Sequence, residues 1–374
     1  MNERIKFGVL TSSRADFGKI KPVIMELLAI PNLELTIFAT GMHLQDEFGL
    51  TIREIEKLFK ENCQIIEGQK FGETQLQGMI NLLSNIQKKS VFTELDYILI
   101  HGDRIEAMAG TIASKLLGVK VIHIEGGELS GSIDDRIRHS ITKFADFHFV
   151  TNLDAKKKVR QLGEDEERIW VTGSPEASVI LGENIPTFEE LSLRYDIPFK
   201  KYIIISFHPV VGDQQENFKI AKLIRELLNF IDENIIIIGP NSDDGFQEIR
   251  EALLEFSKNN ILYYPSIRFE YYLSLLKNAS LVIGNSSSFV REAPLLGVQS
   301  IVPGTRQSDR TNVKSVNYVD VEFTQVINVM KRIPKVKYFT DYFGDKNSIK
   351  LITDALNEIF LSKLPKNKKF NNAK

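Results

Sequence analysis

The chain predicts an α/β protein built from two doubly wound, Rossmann-like domains facing a central cleft. Three observations lead there. Short β-branched runs alternate with amphipathic stretches along almost the whole sequence. The alternation falters once, across residues 182–201, where Pro186 and Pro198 interrupt a charge-dense segment. The length, 374 residues, suits two domains of ordinary size.

The elements follow in order. In the first half, strands are expected at residues 6–10, 35–39, 97–100, 119–124, 148–150 and 169–171. Helical patterns at 19–28, 78–93, 105–117 and 133–144 separate most of them, which argues for a parallel sheet covered on both faces. A second series has strands at 202–206, 235–238, 261–264, 281–283 and 300–302, with helices at 221–231 and 246–256. The expected division is therefore a first domain over 1–182, a linker over 183–200, a second domain over 201–362 and a frayed basic tail over 363–374.

Composition narrows the function. With 43% hydrophobic and 26% charged residues, the chain reads as soluble and globular. A net charge of -2 gives no basic footprint for nucleic acid. No run approaches the roughly 18 apolar residues of a membrane span. The opening MNERIKFGVL has too brief an apolar run for a signal peptide, so a cytoplasmic protein is expected. A single cysteine, Cys63, excludes an intrachain disulfide and a multi-cysteine zinc site.

The segments ILIHGDRIEAM and KVIHIEGGELSGSIDDRIRHS carry the most chemistry. They set Asp103, Glu125 and Asp134 at or just beyond strand ends, where ligands bind in open α/β sheets. Three acids, with His101 and His123 nearby, make a poor core and a site suited to proton transfer. Close carboxylates raise one another's pKa, so one can be protonated near neutrality while another is not. Each residue also has a structural alternative. Asp103 caps a helix starting at Arg104; Asp134 and Asp135 complement a helix N-terminus; Arg138 and His139, one turn on, pair with those acids. Glu125 precedes two glycines, where the backbone allows close ligand approach. His43 is either a further site residue or a buried structural one.

A second cluster points to an anion. The GNSSS loop at 284–288 follows a strand and precedes a helical run, so it offers N–H groups and a positive dipole end. Ser286 and Ser287 add hydroxyl donors; the alternative is a plain serine N-cap. Glu292 suits ribose hydroxyls, or is a first-turn acid on the helix dipole. Arg14, in the loop TSSRADFG, offers paired donors to a diphosphate. His208, between YIIISF and Pro209, is either a satisfied strand-end residue or a group for phosphate contact or acid catalysis. There is no G-x-G-x-x-G loop, Walker motif or H-E-x-x-H spacing, so no cofactor and no metal is expected.

Taken together, these motifs resemble the hydrolysing UDP-N-acetylglucosamine 2-epimerases of sialic acid biosynthesis. The resemblance runs from SSRADFGKIKP to GTRQSDR near residue 310. Between them lie TGMH, IHGDRIEA, HIEGGELSG, SIDDRIRHSI, SFHPV, PSIRFEY, GNSS and VREAPL. It implies the B-type glycosyltransferase architecture, with the nucleotide held mainly by the second domain. It also implies that Asp103, Glu125 and Asp134 are catalytic acids, and that His208 contacts the nucleotide phosphate and is needed for activity. Arg14, Arg104, Asn241, Ser286, Ser287, Glu292 and Arg306 fall where the family contacts UDP. A UDP-sugar substrate and a homodimer or homotetramer follow from the same resemblance. Gly18 stands where some members have serine, and Val211 and Gly212 where two threonines are common.

Non-hydrolysing relatives usually read GTRPE, HGDT and HVEAGLR. This chain reads SSRADFG, HGDR and HIEGGELSG, which places it with the hydrolysing branch. The implied reaction converts UDP-N-acetylglucosamine and water to N-acetylmannosamine and UDP, by elimination to a 2-acetamidoglucal and rehydration. Relatives acting on diacetylated bacillosamine-type sugars often have histidine at position 125. One alternative is thus a hydrolysing 2-epimerase of a UDP-2,4-diacetamido-trideoxyhexose for legionaminic-type acids. Another is a UDP-sugar glycosyltransferase, which needs an acceptor groove and usually one base rather than three clustered acids.

Overall fold

The computed structural model describes residues 4–131, 133–182, 185–241, 243–256, 258–308, 310–334, 336–362 and 368–371. The chain divides into two compact units. The first comprises Met1–Glu128, Asp134–Val179 and Tyr342–Lys374, and the second Leu129–Ile133 and Ile180–Asp341.

The first unit holds strands β1 (Ile5–Thr11), β2 (Leu33–Ala39), β3 (Cys63–Ile65), β4 (Tyr97–His101), β5 (Lys120–Ile124), β6 (Phe147–Val150) and β7 (Ile169–Val171). They form one parallel sheet in the order β3-β2-β1-β4-β5-β6-β7. Alternation sends Phe7, Val9, Leu99, Ile122 and Ile124 into one core layer and Leu10, Ile98, Ile100 and Val121 into another. That is why these strands read as continuous apolar runs. The chain works outward from β1 to β3 and then resumes at β4 on the other side of β1. The loops after β1 and β4 therefore part, which opens a crevice at the carboxyl ends of these two strands.

The second unit repeats the plan with β8 (Ile203–Ile205), β9 (Ile235–Ile238), β10 (Ile261–Tyr264), β11 (Leu281–Ile283), β12 (Ser300–Pro303) and β13 (Val316–Val319). Its parallel order is β10-β9-β8-β11-β12-β13, so its switch point lies between β8 and β11. Every expected strand is present. The two the sequence did not announce, β3 and β13, are partly buried edge strands whose short runs are interrupted by Gln64 and Asn317.

Three expectations are corrected. Residues 201–362 do not form one body, because the helix Ser348–Leu361 belongs to the first unit. Its apolar stripe of Ile352, Ala355, Leu356 and Ile359 is buried in the same core as Phe7, Ile20 and Leu27. Burying each isoleucine or leucine there is worth roughly 1.5–3 kcal/mol, more than chain proximity can oppose. The supposed linker 183–200, whose residues 183 and 184 lie outside the described ones, contains the helix Phe188–Tyr195. A Thr187–Glu190 capping box starts it, and in the second unit the Tyr264 hydroxyl donates to the Tyr195 carbonyl at 2.5 Å.

The tail is the third case. Residues 363–367 and 372–374 lie outside the described ones, but 368–371 are not frayed. Lys368 Nζ donates to the carbonyls of Lys143 and Ala145 at 2.5 and 2.7 Å and to Glu164 Oε2 at 2.7 Å. Carbonyls left open at the end of the helix Ile133–Phe144 attract a cation, so a lysine docks where composition suggested a loose end. Among the described residues no helix is long and apolar enough to cross a membrane.

Candidate active site

In the first unit the switch point gathers a connected set of polar side chains. β1 ends at Thr11, and Ser13 caps the helix Arg14–Ala29 by accepting from the Asp16 N–H at 3.3 Å. This turn fixes Asp16 in the first helical turn. Its Oδ2 accepts from the Thr11 hydroxyl at 2.7 Å and from the Ser12 N–H at 3.1 Å. Its Oδ1 lies 2.7 Å from His101 Nδ1, at the end of β4. The other ring nitrogen, Nε2, lies 3.3 Å from Glu125 Oε1, just past β5. Ser174, beyond β7, donates to the same Glu125 oxygen.

Thr11 extends the set in the other direction. Because its hydroxyl proton goes to Asp16, it accepts from His43 Nε2 at 3.1 Å, and His43 Nδ1 then accepts from Thr51 at 2.5 Å. Thr51, His43, Thr11, Asp16, His101, Glu125 and Ser174 form one chain of polar contacts.

Electrostatics sort the histidines by their neighbours. Burial pushes His43 down to about 4 and His123 down to about 3, so both are neutral. Burial would also lower His101, but Glu125 and Asp16 outweigh it and raise the ring to about 10. Asp16, although buried, is held below the usual carboxylate range by His101, Thr11 and the Ser12 amide. His123 serves structure: its Nε2 donates to the Gly102 carbonyl at 2.8 Å and holds the turn after β4.

Glu125 is the residue under strain. Its φ of 68° lies in the left-handed region that side chains other than glycine avoid, and its residue exposure is 5%. The two glycines after it are closely packed. A Cβ at Gly126 would meet Thr142 Oγ1 at 2.9 Å, and one at Gly127 the Ala155 carbonyl oxygen at 2.4 Å. Ser174 is backed by the returning C-terminal segment, since its N–H donates to the Phe343 carbonyl at 2.8 Å.

The other two expected acids sit differently. Asp103, after β4, precedes Arg104, the N-cap residue of the helix Ile105–Leu116. It accepts from Arg138, which also donates to Asp135 and to the Glu128 carbonyl, each at 2.7 Å. Asp134 lies in the first turn of the helix Ile133–Phe144, half-buried. Arg14 opens the first helix, and Arg104 pairs with buried Glu106, its Nε 3.1 Å from the carboxylate.

The second unit has its own centre at its switch point. His208, past β8, has its backbone bracketed by one side chain: its N–H donates to Asn285 Oδ1 at 2.7 Å and its carbonyl accepts from Asn285 Nδ2 at 2.8 Å. His208 Nδ1 accepts from the Asn241 N–H at 3.0 Å, so in the neutral ring Nε2 carries the proton and is a donor. Arg306, past β12, donates to the Asn285 carbonyl at 3.2 Å and lies 3.7 Å from Asp243, to which Asn241 also donates.

The loop after β11 completes this centre. Gly284 crosses the Ser206 carbonyl so closely that a Cβ would sit 1.8 Å from the oxygen, at a φ of 145°. Ser286 and Ser288 hydroxyls are 3.0 Å apart, and Tyr272 OH lies 2.5 Å from Ser288. Ser287 begins a short 3-10 turn, and Glu292 opens the helix Glu292–Leu295 with 2% exposure. Among the described residues no three His, Cys, Asp or Glu side chains are placed to hold a metal ion.

Sequence reasoning missed Asp16, Ser174, Thr11, Asn285 and Asp243. Asp16 was within reach, because it follows a strand end as Asp103 does. Ser174 and Asn285 carry no signal of their own, since their roles arise from sheet neighbours far away in sequence.

Two doubly wound units, each with a polar centre at its switch point, define a ligand-binding α/β protein. Residues 25–357 match the family model described as UDP-N-acetylglucosamine 2-epimerase, and the chain belongs to that family. A UDP-N-acetylglucosamine 2-epimerase of Neisseria meningitidis serogroup B is 39% identical over 323 residues, 86% of each chain. A UDP-N,N'-diacetylbacillosamine 2-epimerase (hydrolyzing) of Legionella pneumophila is 31% identical over 360 residues, 92% of this chain and 93% of that one. Among solved structures, a UDP-GlcNAc 2-epimerase from Neisseria meningitidis bound to UDP-GlcNAc shares the fold, with a TM-score of 0.76 at 18% identity over 95% of this chain and 100% of that one.

Proposed function

We propose that the protein is a hydrolysing 2-epimerase that converts UDP-N-acetylglucosamine and water to N-acetylmannosamine and UDP, for sialic acid biosynthesis. The observation that carries this reading is Glu125, a strained and nearly buried carboxylate contacted by Ser174 and His101. Strain of this kind costs about 1–3 kcal/mol and persists where function requires it. The motifs SSRADFG, HGDR and HIEGGELSG, and the hydrolysing name of the Legionella relative, support hydrolysis.

Inverting C2 is hard because no carbonyl adjoins its hydrogen. Elimination comes first. The C1–O bond breaks with its electron pair going to UDP, positive charge grows at C1, and C2–H becomes acidic. A carboxylate takes that proton and leaves the 2-acetamidoglucal. His208, Arg306 and the hydroxyls of Ser286 and Ser287 stabilise the departing diphosphate, with Asn241 beside His208. Glu292 accepts from ribose hydroxyls. Water then adds at C1, losing its proton to a base, and a proton returns to C2 from the opposite face. Asp103, Glu125 and Asp134 divide these transfers.

Proton NMR of the protein with UDP-N-acetylglucosamine in heavy water, without acceptor, tests the reading. Free N-acetylmannosamine bearing deuterium at C2, together with UDP, is expected. UDP-N-acetylmannosamine as product would overturn hydrolysis. The Legionella relative's name favours one second reading, a 4-acetamido substrate; turnover of UDP-N,N'-diacetylbacillosamine but not of UDP-N-acetylglucosamine would establish it.

A further inference from the structure

We propose that His101 is a positioning residue that holds Glu125 as the ionised proton-transfer group, with Asp16 as its counter-ion, the three working as one carboxylate–imidazolium–carboxylate unit. The inference rests on the reading of Glu125 as a base of the reaction.

The geometry makes the assignment. Asp16 accepts from a backbone N–H and from Thr11 on one oxygen, which are the contacts of an ionised carboxylate. His101 Nδ1, 2.7 Å from its other oxygen, must then carry a proton. Nε2 lies 3.3 Å from Glu125 Oε1, an ion-pair distance without a hydrogen bond, and a carboxylate on each side of the ring favours a proton here too. The ring has 8% side-chain exposure, so water screens little of this attraction. The raised His101 and lowered Asp16 pKa values agree with the geometry.

The other groups at these strand ends do not compete for the role. His43 reaches Asp16 only through Thr11 and is neutral. His123, on neighbouring β5, is neutral and committed to the Gly102 carbonyl. Arg104 pairs with Glu106, Asp103 with Arg138, and Arg14 acts on the His43 side. Lys19, on the Asp16 helix, pairs with Glu176 at 2.7 Å.

The consequence is chemical. A buried carboxylate without a cation rises in pKa and is protonated when it must act as a base. The imidazolium offsets that rise, and its contact with Glu125 Oε1, together with that from Ser174, fixes the orientation of the carboxylate.

The test combines side-chain NMR of histidine-labelled full-length protein with pH–rate profiles. One of the six histidines should keep both ring protons at about pH 8. Its signal should vanish in His101→Gln and lose a proton at least about one pH unit lower in Asp16→Asn. In turnover, both variants should move the acid limb of kcat upward by about one unit or more. A histidine that only supports the fold would lower kcat by the same factor at every pH. The proposal is overturned if no histidine keeps both protons at about pH 8, or if the variants melt like the parent and leave the acid limb in place. If the parent releases no N-acetylmannosamine, the functional reading fails, while the NMR arm still decides the bridge. Asp16→Asn keeps the test alive should His101→Gln not fold.

Discussion

Arg138 reaches from the helix Ile133–Phe144 to Asp103 at the end of β4, with 1% side-chain exposure. Burial alone would lower its pKa, but Asp103, Glu128 and Asp135 keep it charged. The alternative in which Arg138 pairs with neighbouring acids is thus the observed one, and it ties Asp103 to the helix that carries Asp134. Arg138→Leu should cost about 3 kcal/mol, the low end for breaking a buried pair, because Asp103 and Asp135 keep some water contact at 25% and 18% exposure. Asp103→Asn leaves the Asp135 partner in place, so it should cost less stability while abolishing turnover. Urea unfolding beside a product assay separates the two. Equal stability losses would make Asp103 a structural anchor.

Glu125→Gln keeps the side chain's shape but not its charge. If Glu125 transfers the C2 proton, kcat should fall by roughly 10²–10⁴-fold. On the reading in which the second unit holds most of the nucleotide, UDP affinity should be unchanged within about twofold. Calorimetric UDP titration and steady-state kinetics provide both numbers. A variant retaining most of its kcat would remove Glu125 from the chemistry.

How far the sequence revealed this molecule depends on the length of each signal. The apolar strands of both sheets and the helix Ile133–Phe144 were legible because apolar runs and helical periods are local signals. The edge strands β3 and β13 were not, since Gln64 and Asn317 interrupt short runs that are only partly buried. The helix Ser348–Leu361 falls within the span expected of the second domain, yet its stripe fits the first core. Sequence order cannot tell which of two apolar surfaces a stripe will choose. Asp103, Glu125 and His208 were legible because strand-end position is local information. The bridge from Asp16 through His101 to Glu125 was not, since it joins three strand ends whose adjacency exists only once β1, β4 and β5 pair.

Gly284→Ala tests the loop that the second centre depends on. A Cβ 1.8 Å from the Ser206 carbonyl cannot be accommodated without moving either β8 or the loop. Loss of stability and of UDP affinity together is expected. Ser286→Ala removes only a hydroxyl, so UDP affinity should drop by about fivefold, near 1 kcal/mol, with stability almost unchanged. Parallel melting and UDP titration check the pair; undiminished affinity in both would place the phosphates elsewhere.

Lys368→Met removes the cation that joins the tail to Glu164 and to the end of the helix Ile133–Phe144. Glu164 keeps Lys143 at 2.6 Å and His148 at 3.1 Å, so it is not stranded. A loss of about 1–3 kcal/mol is expected, carried by the first unit. Limited proteolysis with mass spectrometry should show faster cleavage of the tail. An unchanged digestion pattern would mean that the docked lysine holds nothing in place.

The histidines set opposing pH dependences of stability. His43 and His123 have pKa values below the ordinary 6.5, at about 4 and about 3. Below 6.5 the unfolded chain binds their protons and the folded one does not, so their stabilisation is present above that value and is lost as pH falls toward 4 and 3. His101 runs the other way. Its folded value of about 10 lies above 6.5, so its contribution is complete below 6.5 and is lost as pH rises through about 10. Urea midpoints across this range should fall on both sides of neutrality. In His101→Gln the alkaline decline should flatten while the acid decline persists, because His43 and His123 are untouched. An alkaline decline of the same size in the variant would assign it to other groups.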